Sequence, residues 1–306
     1  MERLENCLRE DVRNNNTLIV YHKHTDIDQT KWDHCIKHAI NSMPYAYSWY
    51  LNLVCRNWDA LIFNNYEAVM PLPWKSKLGL KYITNPYYCQ QLGVFYTKES
   101  LDIDAFIKAI PRKFVYVSQN LNTYNGNSKF AIKRNTNYEL ILEDINLLRS
   151  KYSKNHVKNI KQAKNRGVEI SKKVDTFSQF SNKKAIVGQS FMTQTLLHLE
   201  QHIMKSLIEQ SRGQIYSVSF EGENCSSAFI IHCDRRLILL TSYSDRIGKR
   251  KRAYFLLLDH IFSLADYHGY TFDFEGSNLK SIANRNAWFG ATPKQYYTIR
   301  RFFWQF

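Results

Sequence analysis

Short apolar runs rich in β-branched residues alternate with stretches of helical spacing along the whole chain. TLIVYH, residues 17–22, is the first such run and predicts a strand. Residues 28–40 then place Trp32, Ile36 and Ile40 on one face of a helix, and residues 48–55 predict a second helix. WDALIFNN and YEAVMPLPW follow as two strands, with Asn64-Asn65 as the hairpin signal between them. Further strands are expected at 81–83, 91–96 and 114–118, with a short helix at 101–110 that Pro111 stops. NLNTYNGN is polar and turn-forming, and residues 137–142 return to strand character.

The second half repeats this grammar. A basic helix is expected at 151–166 and a longer helical region at 177–209. Three strands follow at 214–220, 226–233 and 237–243, with ENCS (223–226) and Asp234-Arg235 as the hairpin turns. Residues 254–267 are apolar almost all round, which predicts a buried helix, with Gly269 placed as its C-terminal cap. TFDFEGS reads as a strand, and Ser277 suits the N-cap of a helix through SNLKSIANRNAWFG. The chain closes on a strand-like aromatic run, QYYTIRRFFWQF. Helices interleaved with hairpin meanders predict a mixed α/β or α+β protein.

Composition narrows the function classes. Hydrophobic residues make up 44% of the 306, enough for a substantial core. That length suggests two domains. The formal net charge of +15 speaks to partners: nucleic acid, anionic headgroups and phosphate-bearing molecules all fit, as does a generally basic solvated surface. The six cysteines show no metal-ligand spacing, no metal site is expected, and their scatter suits a reducing compartment. MERLENCLREDVRNNN has no apolar core of a signal peptide, and no run is long enough to span a bilayer, so a soluble cytoplasmic protein is expected.

Three stretches can carry chemistry. Before the apolar helix, Arg246, Lys249, Arg250, Lys251 and Arg252 surround Gly248 and lead to Ala253. Free N–H groups at a helix start bind phosphate, and cations gathered there make sense if an anion is their partner; a solvated basic loop is the alternative. In the helix at 151–166, Lys151, Lys154, Lys158 and Lys161 form a ridge with no acid to pair them. The ridge suits a polyanion or a solvated face, while His156 falls on the apolar side and reads as a packed histidine. In TFDFEGS, Phe272 and Phe274 share one face and Asp273 and Glu275 the other. Glu275 stands at the strand's end, where open α/β sheets bind ligands. It is placed to act as a general base, or as a turn or ion-pair residue. Gln90 and Gln91, flanked by tyrosines, line a polar cleft or form a satisfied polar edge.

Taken together, these segments resemble the tandem GNAT-like proteins related to the Fem-type peptidoglycan aminoacyltransferases, including a bacterial subgroup known only as acetyltransferases. WDALIFNNYEAVMPLPW with YYCQQLGVF, YSKNHVKNIKQAKNRGVEI and FDFEGSNLKSIANRNAWFGATPKQYY carry the likeness, over nearly the whole chain. It implies two GNAT-like domains, 1–148 and 149–306, with a cleft between them; the last strand, about 295–306, is free to pack back on the first domain. It also implies transfer of an acyl group to an amine acceptor. The donor is acyl-CoA, or a charged tRNA in the Fem-type branch, and a GNAT-fold binding protein without activity is a third reading. Carried over, the donor's pyrophosphate falls to Arg246, Gly248, Lys249, Arg250, Lys251, Arg252 and Ala253. Glu275 becomes the base. Tyr243, Gln90, Gln91, Lys154, Lys158 and Lys161 become substrate contacts. Lys251 stands where the family has its central glycine, and Arg285 and Asn286 replace an aromatic pair before FGA.

Overall fold

The computed structural model describes residues 18–98, 101–188 and 193–305. Its strands join into one thirteen-stranded mixed sheet. The first half supplies β1 (Ile19–His22), β2 (Trp58–Phe63), β3 (Ala68–Lys77), β4 (Leu80–Thr84), β5 (Phe95–Tyr96), β6 (Phe114–Asn120) and β7 (Ala131–Ile141). The second half adds β8 (Val168–Ile170), β9 (Gly213–Phe220), β10 (Glu223–Cys233), β11 (Arg236–Ser244), β12 (Thr271–Asp273) and β13 (Thr292–Phe302). The spatial order is β1-β2-β3-β4-β6-β13-β7-β12-β11-β10-β9-β8, with β5 against β3. Two neighbouring pairs are parallel, β4 with β6 and β11 with β12, one in each half. The terminal strand β13 lies between β6 and β7. β7 in turn pairs with β12, so the sheet runs unbroken through both halves.

Helices cover both faces. The first half contributes α1 (Gln29–His38), α2 (Ser48–Val54) and α3 (Ile103–Ala109). The second contributes α4 (Ile145–Lys151), α5 (Lys154–Asn165), α6 (Phe177–Val187), α7 (Gln194–Glu209), α8 (Arg246–Lys251), α9 (Ala253–Phe262) and α10 (Lys280–Ala287). One apolar cluster joins Trp32, Tyr45 and Tyr50 of the first half to Phe180, Met204 and Phe229 of the second. The halves are therefore held by shared core, not by a polar contact surface. A second cluster gathers around α9 and takes in Leu140 and Leu142 from the end of the first half, and a third, around Phe106 and Phe114, takes in Ile299 of β13.

Several expectations shift. The basic helix breaks at Tyr152–Ser153 into α4 and α5, because the Ser153 hydroxyl caps the His156 N–H and starts a new helix. Lys151 therefore leaves the lysine ridge. The first meander turn sits at Glu221-Gly222, both at positive φ as a two-residue hairpin requires, and not at 223–226. The 91–96 strand shrinks to β5 plus a single bridge between Leu92 and Leu121. Helix α9 stops at Phe262, and Gly269 instead turns the chain into β12 at φ +82°. Ser277 does not cap α10, which begins at Lys280; its hydroxyl donates to the Glu275 carbonyl at 2.7 Å. The five described cysteines are free, and Cys7 with the charged N-terminal segment lies outside the described residues. Among the described residues no helix is long and apolar enough to cross a membrane.

Candidate active site

β11 and β12 pair in parallel only over Arg236–Ile238 and Thr271–Asp273. Beyond that register β12 ends, while β11 runs on to Ser244. The sheet therefore splits at the C-terminal ends of two parallel strands, the place where open α/β sheets take ligands. A cavity of about 460 Å³ opens there. Ser242 to Ser244 of β11, the start of α9 at Tyr254 and Phe255, and the end of α6 at Val187 and Gly188 form its walls. Among the described residues four cations line it, Lys184, Lys249, Arg252 and Arg285, and no carboxylate does. Arg285 lies 4.6 Å over the Tyr254 ring. A second concavity of about 590 Å³ adjoins it, lined by Arg166, Lys249, Arg250, Lys251 and Arg252. Among the described residues Lys249, Arg250 and Arg252 take part in no ion pair.

The sequence loop from Arg246 to Ala253 is not an open phosphate loop. Asp245 caps the short helix α8 by accepting from the Gly248 N–H at 2.7 Å, so that N–H is not available to a ligand. Gly248 is required for packing: a Cβ there would meet the Cys225 carbonyl oxygen at 2.3 Å. Gly248→Ala is expected to push α8 off β10 and to cost roughly 1–3 kcal/mol, read from urea unfolding. Lys251 does not line the 460 Å³ cavity: its ammonium lies 3.6 Å over the Phe220 ring and donates to the Arg166 carbonyl. Arg252 adopts φ +66° and separates the two helices, and α9 begins without a side-chain cap. Ala253 is fully buried. The start of α9 thus meets the cavity wall through Arg252, Tyr254 and Phe255.

Glu275 follows the last residues of β12 and takes up φ +53°, a strained conformation for a residue with a side chain. Its N–H donates to Asp273 Oδ1 at 2.9 Å. Behind it, the buried Asp273 accepts from Arg236 at 2.9 Å and from Asn137 at 2.8 Å, and Arg236 also holds Glu139 at 2.8 Å. Burial raises the Asp273 pKa, against the pull of Arg236. The Glu275 carboxyl accepts a hydrogen bond from the hydroxyl of Tyr45, a fully buried residue of the first half. Desolvation among these protein atoms raises the Glu275 pKa to about 8. Glu275 is not part of the 460 Å³ cavity's lining; it stands on the β12 side of the split.

The remaining sequence candidates separate. Tyr243 lines the cavity, but its hydroxyl is committed to Asp175 at 2.5 Å and to Ser227, and burial raises its pKa. Gln91 is fully buried: its Oε1 accepts from the Thr123 N–H and its Nε2 donates to Gln90. Gln91 is therefore a satisfied buried amide that ties residue 123 to Gln90. Lys154, Lys158 and Lys161 lie exposed on α5, outside both cavities. His156 is a packed histidine: its Nε2 contacts the Arg285 carbonyl at 2.9 Å, and burial lowers its pKa to about 4. Tyr45, Lys184 and Arg285 are the site residues that periodicity did not mark.

Two halves with matching parallel strand pairs and one split sheet define the class: the chain has the tandem GNAT-like, Fem-like fold. The FemX crystal structure matches with TM-score 0.60 and 11% identity, over 88% of this chain and 95% of that one. A conserved protein of unknown function from Bacteroides thetaiotaomicron matches with TM-score 0.55 and 9% identity, over 93% and 100%. A tandem GNAT protein from the clavulanic acid biosynthesis pathway matches with TM-score 0.50 and 9% identity, over 92% and 98%. No protein-family model matches this sequence, and no curated protein matches it by sequence.

Proposed function

We propose that this protein is an N-acyltransferase that takes its acyl group from a CoA thioester bound at the split between β11 and β12. The observation that carries the reading is the cavity there, with four cations, no carboxylate and the uncapped start of α9 on its wall. That lining suits a phosphate-bearing donor. Lys249 and Arg252, shared by both concavities, hold the phosphates. The amine nitrogen attacks the thioester carbonyl, the C–N bond forms and the C–S bond breaks. Glu275 accepts the proton released from nitrogen, and the thiolate leaves.

Acetyl-CoA calorimetry at modest salt tests this. Measurable binding is expected, falling at least tenfold in Lys249→Glu/Arg252→Glu, which reverses two charges at the shared rim. Absence of binding to any short-chain acyl-CoA overturns it.

The adjoining concavity of five cations favours one second reading, a charged tRNA donor. Its signature is tRNA affinity that falls steeply with salt as counterions are released.

A further inference from the structure

Behind the cavity wall lies a carboxylate that the proposed reaction does not use. Glu200 of α7 is completely buried. Its Oε1 accepts from Thr241 at 3.0 Å, from Tyr88 at 3.3 Å and from the Lys184 ammonium. Its Oε2 is buried with no hydrogen-bond partner among the described residues. Such an oxygen is costly to leave unpaired. Thr241 directly precedes Ser242 and Tyr243 of the cavity wall, and Lys184 is itself a wall residue. Tyr88 comes from the first half at φ +60°, strained for an aromatic residue, and its ring lies 5.7 Å from the Lys184 nitrogen.

A carboxylate with one open oxygen and an aromatic face is the chemistry that recognises an alkylammonium. Lys184 shows that one fits. Among the described residues Lys184 is also the one partner that reaches Glu200 from the cavity, on a flexible four-carbon stem.

We propose that Glu200, Tyr88 and Thr241 form a subsite for the primary alkylammonium group of the acceptor, which Lys184 fills until the acceptor displaces it. This rests on the transferase reading and names its acceptor as a diamine: the ammonium held here is a second group, while the nitrogen that is acylated attacks as a neutral amine and gives its one proton to Glu275.

The test removes the internal occupant. Lys184→Met leaves Glu200 as an unpaired buried charge, so its melting temperature is expected to fall by several degrees. n-Propylammonium chloride at tens of millimolar is expected to restore most of that loss. Sodium chloride and tetramethylammonium chloride, which offer no N–H donor, are expected not to. Lys184→Met/Glu200→Gln has no charge to satisfy and is expected to show no amine-specific gain. If Lys184→Met does not fold unaided, recovery from urea with and without n-propylammonium reads the same effect. An equal response in single and double variants, or none in the single, overturns the subsite. Acetyl-CoA calorimetry on the wild-type protein, whose donor cavity is intact, separates the two readings. Amine response without donor binding overturns the transferase and leaves the subsite; donor binding without amine response does the reverse.

Discussion

Glu275→Gln is expected to lower acyl transfer by about 10²-fold or more while leaving donor affinity little changed, because the residue stands outside the cavity lining. Steady-state turnover beside calorimetry checks both. The wild-type rate is expected to rise with pH through about 8, where burial places the carboxyl's ionisation. The same shift has a thermodynamic sign. The folded pKa of about 8 exceeds the ordinary glutamate value of 4.5, so between them the folded state holds a proton that the unfolded chain releases. This group's favourable contribution is complete below pH 4.5 and is lost as pH rises through 8. The loss is on the order of 5 kcal/mol at most. Glu275→Gln removes a titrating group, so its stability is expected to vary less across that window in urea unfolding. Turnover unchanged in the variant rejects the base.

Arg236→Met is expected to be the most destabilising single change in the second half, at about 3–5 kcal/mol. Arg236 lies between the carboxylates of Glu139 on β7 and Asp273 on β12, both nearly or fully buried. Removing it leaves two like charges facing each other without water. The Asp273 carboxyl, whose pKa burial already raises, then loses the opposing pull of Arg236, so the loss is expected to shrink between pH 8 and pH 5. Replacing all three groups with neutral ones, in Arg236→Met/Glu139→Gln/Asp273→Asn, is expected to recover most of it. Urea unfolding of the single and triple variants at both pH values decides this; a single variant as stable as wild type shows that the cluster holds nothing. The cluster also supports Glu275, whose N–H rests on Asp273.

Local order was readable from the pattern. The apolar runs gave β9, β10 and β11 to within a few residues, and the all-round apolarity of α9 correctly implied burial, since such signals depend on neighbours in sequence. The mixed α/β fold followed from their succession. Roles set by distant partners were not readable. Gln91 looked like a cleft residue until Thr123 and Gln90 took its amide. Gly248 looked like a phosphate loop until Asp245 and the Cys225 carbonyl used it. Tyr45 meets Glu275 across 230 positions, a separation that no periodicity encodes. The lysine ridge on α5 was seen correctly as a ridge from Lys154 onward, but its exposure leaves its partner undefined.

The place of β13 bears on how the chain is made. β6 and β7 are both complete by Ile141, yet the strand that bonds to each of them ends at Phe302. While the ribosome works through the intervening residues, these two strands present open edges where the closing strand belongs, and open edges invite pairing with other chains. The first half of the sheet is sealed only after synthesis has passed through nearly all of the second. Early emergence gives it no early completion, and its exposure to misassembly lasts as long as translation of the second half does.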